Sequence, residues 1–189
     1  MLQRVFVDAD VLASRTPYEW LALLRAEDDT SFQLHSSSGA VVDAVRLWRR
    51  RAPAVRGGAS RRRLDLLVAS LDEVVGAVAA DVDFDAPDRP VIPVQADAMA
   101  SGAQVLVSSN VSPPVGDELP FEIYTPDELL CLVDDSAASA VRNVTLLQDH
   151  RARRPDAGRA TESLTATLTA AGCPAFAERV AAHLRALAG

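Results

Sequence analysis

The chain has 189 residues, 49% of them hydrophobic, which is enough apolar mass to bury a core without disulfides or a structural metal. A formal net charge of −7 excludes a generally cationic nucleic-acid binder, and the two cysteines, Cys131 and Cys173, stand in no CxxC or other zinc spacing. Neither a signal peptide nor an apolar run near the roughly 18 residues of a membrane span is visible, so a reduced, cytoplasmic protein that meets no membrane is expected.

In chain order, Arg4 to Val7 reads as a buried strand that stops at Asp8-Ala9-Asp10, with helical spacing resuming at Val11. Thr16-Pro17 predicts an N-cap followed by proline at the first helical position, opening a helix to about Arg25. Phe32 to His35 is either a short strand or the entrance to a helix. Val41, Val42, Val45 and Trp48 predict a helix from Gly39 to Arg51, closed by Pro53. Ser60 to Ala80 reads as one further helix, with Leu64, Leu67, Leu71, Val74 and Val75 on its apolar face. After the acidic, turn-like Asp81 to Pro90, a helix from Pro93 to Ser101 ends at Gly102. Strands follow at Gln104 to Val107 and Glu122 to Tyr124. Thr125 and Glu128 form a capping-box pattern for the next helix. From Ser136 the pattern is wholly helical, broken at Arg151 to Arg159, and its last helix spans Ala175 to Leu187. Strand and helix signals in this order predict an α/β sheet.

A strand that ends abruptly at a carboxylate delivers that charge to the C-terminal edge of a sheet, where α/β proteins bind ligands and metals. Asp8 is therefore the leading candidate, against the plainer role of capping the following helix. Asp43, on its arginine-rich helix, either joins Asp8 or pairs with neighbouring charge. Ser108 and Asn110 are site residues or ordinary turn chemistry. Arg46, Arg49, Arg50, Arg51, Arg56, Arg61, Arg62 and Arg63 crowd one segment. They either meet RNA phosphates or a partner, or form a solvated helix end and loop, and the solvated role is the expected one. His35, His150 and His183 show no ligand or acid–base spacing, and each is expected to be a surface or half-buried histidine.

Val5-Phe6-Val7-Asp8, Asp43, the run from Ala100 to Asn110 and Tyr124-Thr125-Pro126-Asp127-Glu128-Leu129-Leu130 together resemble the PIN-domain family, which includes the VapC-type toxins of toxin–antitoxin modules. The resemblance covers residues 1–134, with 135–189 as a helical C-terminal extension that includes Gly172-Cys173-Pro174. It implies a three-layer α/β fold with a central parallel sheet, at one end of which three or four separated carboxylates hold Mg²⁺ or Mn²⁺ for hydrolysis of RNA. Asp8 matches the first acid and Asp43 the second. The third position falls on Val91 and the fourth on Ser108-Ser109-Asn110, so the metal is expected to be weakly bound or absent. Asp10 and Asp88 are the nearest acids that would compensate, with Asp85 beyond them, whereas Asp97 would sit about 120° around a helix from Val91. The resemblance also implies RNA, an antitoxin-like protein or a second copy of the chain as partners.

The expected function is thus a VapC-like, metal-dependent ribonuclease fold with an impaired or atypical site. The alternative is a catalytically inactive PIN fold that binds protein or RNA. A third reading, a phosphatase of the haloacid dehalogenase type, rests on Asp8-Ala9-Asp10 and on Ser108 or Ser109. It lacks the lysine such chemistry commonly uses, because the chain contains none.

Overall fold

Short runs of consecutive β-branched and aromatic residues make the strands, and helices with one apolar stripe separate them. The computed structural model describes residues 3–27, 31–52, 57–76, 94–110, 119–153 and 163–188. In chain order these form β1 (Gln3–Val7), α1 (Ala9–Ala13), α2 (Arg15–Leu24), β2 (Phe32–Ser37), α3 (Ser38–Arg51), α4 (Gly57–Ser70), β3 (Glu73–Val75) and α5 (Val94–Ala100). There follow β4 (Val105–Val107), β5 (Glu122–Tyr124), α6 (Pro126–Ser136), α7 (Ala138–Ala152), α8 (Leu164–Ala170) and α9 (Pro174–Ala188). They fall into two units, Met1–Arg15 with Phe32–Thr125, and Thr16–Ser31 with Pro126–Gly189. No helix among the described residues is long and apolar enough to cross a membrane.

The first unit is the α/β part. Its five strands lie in the order β3-β2-β1-β4-β5, and every neighbouring pair is parallel. Val5, Phe6, Val7, Leu34, Val105, Leu106 and Val107 are all buried, the continuous apolar pattern of a parallel sheet covered on both faces. Register places Phe6 beside His35 and Leu106, and Leu106 beside Ile123. On that face Phe6 and Leu106 cluster with Ala98 and Val94 of α5 and with Phe121. Helix α5 ends as the sequence predicts. Gly102, at φ 64°, donates its N–H to Met99, and Ala103 donates to Ala98, the paired bonds of a glycine-terminated helix end.

The strand order reverses between β1 and β4. Successive strands step outward from β1 through β2 to β3, then continue on its other side through β4 to β5. Such a reversal opens a crevice at the carboxyl ends of the two inner strands. Asp8 leaves β1 there and Ser108 leaves β4, and the ladder still joins them, with Asp8 N–H on Val107 O at 3.0 Å.

Three expectations need correction or completion. The helix expected over Ser60 to Ala80 stops at Ser70, and Glu73–Val75 is an edge strand paired with β2. Asp72 is the reason: its N–H donates to Leu34 O at 2.8 Å and its carboxylate accepts from Leu34 N–H at 2.8 Å, so it docks the chain on β2 before a second helical stretch forms. Gly76, at φ 82°, then turns the chain. The N-terminus of α2 lies at Arg15, which puts Pro17 inside the first turn, where an N–H has no intrahelical acceptor to lose. Phe32 to His35 resolves as strand and continues through Ser37.

The second unit is helical. Helix α9 packs against α6, α7 and α8. Asp127 on α6 accepts the N–H groups of Ala175 and Phe176 at 3.1 and 2.8 Å, satisfying two of the donors that the first turn of α9 cannot pair internally. The fully buried rings of Trp20 and Phe176 meet edge to face with centroids 5.0 Å apart. Asp134 accepts from His183 Nε2 at 2.7 Å and from Arg179 at 3.3 Å, and Arg179 also pairs with Asp135. His183 is half-buried, as expected, and the buried Asp134 satisfies its ring.

Candidate functional site

Asp8 has the extended backbone of an N-cap, and its Oδ1 accepts the N–H of Ala9 at 2.6 Å. Oδ2 accepts the hydroxyl of Ser108 at 2.7 Å. That hydroxyl in turn accepts the N–H of Asn110 at 3.2 Å. Asp10, one turn into α1, reaches the same strand exit. Its Oδ2 accepts from Ser109 N–H at 2.9 Å and from Asn110 Nδ2 at 3.0 Å. Asp8 thus caps α1 with one oxygen and meets Ser108 with the other. Asp8, Asp10, Ser108 and Asn110 form one network across the β1 and β4 exits.

Burial is the largest influence on Asp8 and pushes its carboxyl above the usual carboxylate value. The Ser108 hydroxyl opposes this, the charge of Asp10 adds to it, the Ala9 N–H opposes, and the charge of Asp43 adds again. Asp43 on α3 is therefore within electrostatic reach of Asp8. It is half-exposed and forms an ion pair at 2.9 Å with the buried Arg46, the pairing with neighbouring charge anticipated for it. Asp10 keeps one oxygen, Oδ1, buried without a hydrogen-bond partner among the described residues.

No family model, curated protein or solved structure matches the chain.

Other candidates fall elsewhere. Val91, Asp85 and Asp88 lie outside the described residues. Asp97 on α5 accepts the hydroxyl of Ser37, which itself caps α3 by accepting Ala40 N–H at 3.1 Å. Ser36 donates to Val7 O at 2.8 Å, tying the end of β2 to the end of β1. Ser36 and Ser37 were missed, and Asp97, set aside as a substitute acid, is engaged by Ser37. The signal for the two serines was Ser36-Ser37-Ser38-Gly39 ahead of an apolar helical run, the composition of a helix start. His35 is fully buried because it lies beside Phe6 on the sheet face that α5 covers. Burial and then the charge of Arg4 push its imidazole below the usual value, and Glu73 opposes from 3.3 Å. Asp134 and Asp135 lie in α6, in the helical unit.

The chemistry open to this network follows from its donors. Asp8, Asp10, Asp43, Ser108 and Asn110 present oxygen and amide groups only, with no imidazole or thiolate among them, which suits a hard cation and not a soft one. Among the described residues no three or more of His, Cys, Asp and Glu are gathered as metal ligands would be.

Proposed function

We infer that this chain is a PIN-like, VapC-like ribonuclease fold of three layers, with an atypical metal site that holds Mg²⁺ or Mn²⁺ weakly. The observation that carries the inference is Asp8: a carboxylate at the strand-order reversal, raised by burial and by the charges of Asp10 and Asp43. Like charges converging on a half-buried carboxylate cost free energy unless a cation or a proton joins them.

The residues fit such a cation in kind and fall short in number. Asp8 and Asp43 would hold it, and the partnerless Oδ1 of Asp10 is the third available oxygen. Three carboxylates already engaged by Ser108, Asn110 and Arg46 would hold it weakly, and Val91, where the resemblance expects the third acid, lies outside the described residues with Asp85 and Asp88. When bound, a divalent cation neutralises charge developing at a phosphodiester and lowers the pKa of a coordinated water. The chain's own groups do the rest. Ser108 fixes the rotamer of Asp8 by its 2.7 Å hydrogen bond. Asn110 spends its amide nitrogen on Asp10 and keeps its carbonyl oxygen to accept from a water or a ribose hydroxyl.

A second reading, an inactive PIN fold that binds protein or RNA, is favoured by how far the acids are already satisfied: Ser108, Ser109 and Asn110 occupy Asp8 and Asp10, and Arg46 occupies Asp43. Calorimetry with Mn²⁺, using Asp8→Asn as the control, separates the two. Binding that the substitution abolishes, followed by Mn²⁺-dependent cleavage of RNA, supports the nuclease. Silence at millimolar Mn²⁺ would refute it.

A further inference from the structure

The edge strand β3 is lightly held. It has three residues, none of them buried. Its fastenings are the ladder to β2, the two bonds between Asp72 and Leu34 at 2.8 Å each, and the turn at Gly76, where a Cβ would stand 3.0 Å from Ser38 Oγ. A strand this short, with little apolar surface committed to the core, has little to oppose its local opening. Ladder register sets Glu73 of this strand beside His35 of β2.

His35 is 1% exposed, and its ring is incompletely satisfied. Nδ1 lies 3.3 Å from Glu73 Oε2 but makes no hydrogen bond among the described residues, and Nε2 stands 3.4 Å from Gln33 Oε1. The charged groups that act on the ring come from both neighbouring strands. Glu73 is at its side, Asp72 directly precedes that strand, and Arg4 of β1 approaches Glu73 at 3.9 Å. Helix α5, on the same face of the sheet, carries one charged residue, Asp97, whose carboxylate accepts the Ser37 hydroxyl. Burial and then Arg4 hold the imidazole below its ordinary value of 6.5, and Glu73 and Asp72 oppose them without prevailing. A folded-state value below the unfolded one means that the closed edge binds the proton less tightly than an open one. The contribution of His35 to closure is therefore whole above pH 6.5 and is lost as the pH drops from 6.5 toward the folded value.

We propose that His35 and Glu73 form an acid-sensitive latch on the edge of the sheet: β3 stays paired while the imidazole is neutral, and protonation of His35 releases residues 72–76 from β2. Release opens the flank of the ring to water, where the imidazolium is solvated, and bares the backbone of residues 34–37 as an unpaired edge. The rest of the sheet keeps its order, because β2 remains held to β1 by its ladder and by the bond from Ser36 to Val7 O at 2.8 Å.

The test is amide hydrogen exchange resolved by NMR between pH 7.5 and 5.5, with each rate divided by the intrinsic rate at that pH. Leu34 and Asp72 report on the latch through the bonds their N–H groups make to each other's segment. Glu122, whose N–H donates to Gln104 O from the equally short strand β5, reports on the opposite edge. Protection at Leu34 and Asp72 is expected to fall by up to about tenfold per pH unit below 6.5, the limit for one linked proton, while Glu122 holds. His35→Gln is expected to abolish the fall over this range, and Glu73→Gln to extend it to lower pH, since the imidazolium then loses its neighbouring carboxylate. Titration of the His35 ring in the unsubstituted protein reads the same linkage without a variant, with an expected midpoint below 6.5 and amide shifts of Leu34 and Asp72 that move with it. The proposal is overturned by protection at Leu34 and Asp72 that does not change with pH, by the same fall in His35→Gln, by an equal fall at Glu122, or by a His35 midpoint at or above 6.5.

Discussion

Replacing Asp8 by asparagine is predicted to stabilise the α/β unit at neutral pH while removing its response to Mn²⁺. Asparagine keeps the shape, and its Oδ1 still accepts Ala9 N–H while Ser108 turns its hydroxyl to accept from Nδ2. What is lost is the charged character of two hydrogen bonds, about 1 kcal/mol each as the difference between charged and neutral pairs. What is gained is relief from burying a charge beside Asp10 and Asp43. The net direction is already fixed, because the Asp8 carboxyl sits above its ordinary value of 3.8 with both hydrogen bonds in place. The penalties therefore outweigh what the two bonds return. A folded-state value above the unfolded one means that the native state binds the proton more tightly. Stability then falls as pH rises from 3.8 through the folded value, and the ionised penalty is fully present above that value. The predicted gain for Asp8→Asn at pH 7 is on the order of 1 kcal/mol, a size common when a functional site is relaxed. It should shrink as the pH approaches 3.8. Urea unfolding in EDTA, followed by Trp48 in a Trp20→Phe background, reads this unit alone, because the chain's two tryptophans lie in different units. Added Mn²⁺ should raise the wild-type midpoint and leave the variant unmoved. A variant less stable than wild type at pH 7, or a difference independent of pH, would refute the electrostatic argument.

Three further outcomes follow from particular contacts. Ser108→Ala removes a hydroxyl that serves both Asp8 and Asn110, and is predicted to cost about 1–3 kcal/mol at pH 7, with a smaller cost in acid where Asp8 is protonated; urea titration at two pH values measures it. Phe176→Ala should destabilise the helical unit by about 3–5 kcal/mol, since it deletes a fully buried ring and its edge-to-face partner contact with Trp20, and calorimetric melting checks it. Cys173 is buried and its thiol is pushed up to about 12, so in the native protein at pH 8 it should resist alkylation by iodoacetamide and react only after unfolding, as read by mass spectrometry.

The parallel sheet was legible because its inner strands are apolar on both faces, and Val5-Phe6-Val7 and Val105-Leu106-Val107 have no helical alternative at that length. The edge strand was not. Val74 and Val75 continue the helical spacing of Leu64, Leu67 and Leu71, and only the backbone pairing of Asp72 with Leu34, invisible in a local pattern, separates them. Boundaries set by glycine, such as Gly102, could be read directly because the residue type itself specifies the left-handed turn.

The site was legible to a different depth at each residue. Asp8 announced itself by ending an apolar strand, whereas the role of Asp10 depends on Ser109 and Asn110, a hundred positions away in the chain and adjacent only once β1 and β4 pair. The same pairing explains why single-residue alternatives dissolved. Asp8 caps a helix with one oxygen and meets Ser108 with the other, and Asp43 neutralises a buried arginine while adding its field to Asp8. A carboxylate has two oxygens and a long-range charge, so a structural duty does not exhaust it. That double use makes the acid network hold its geometry without a metal, and it also sets the cost of binding one: a cation on Asp8 and Asp43 must compete with Ser108 and Arg46 for the same charge. The predicted weakness of the site and the predicted stability of Asp8→Asn are two consequences of that competition, and substituting Arg46 should shift the first without restoring the second.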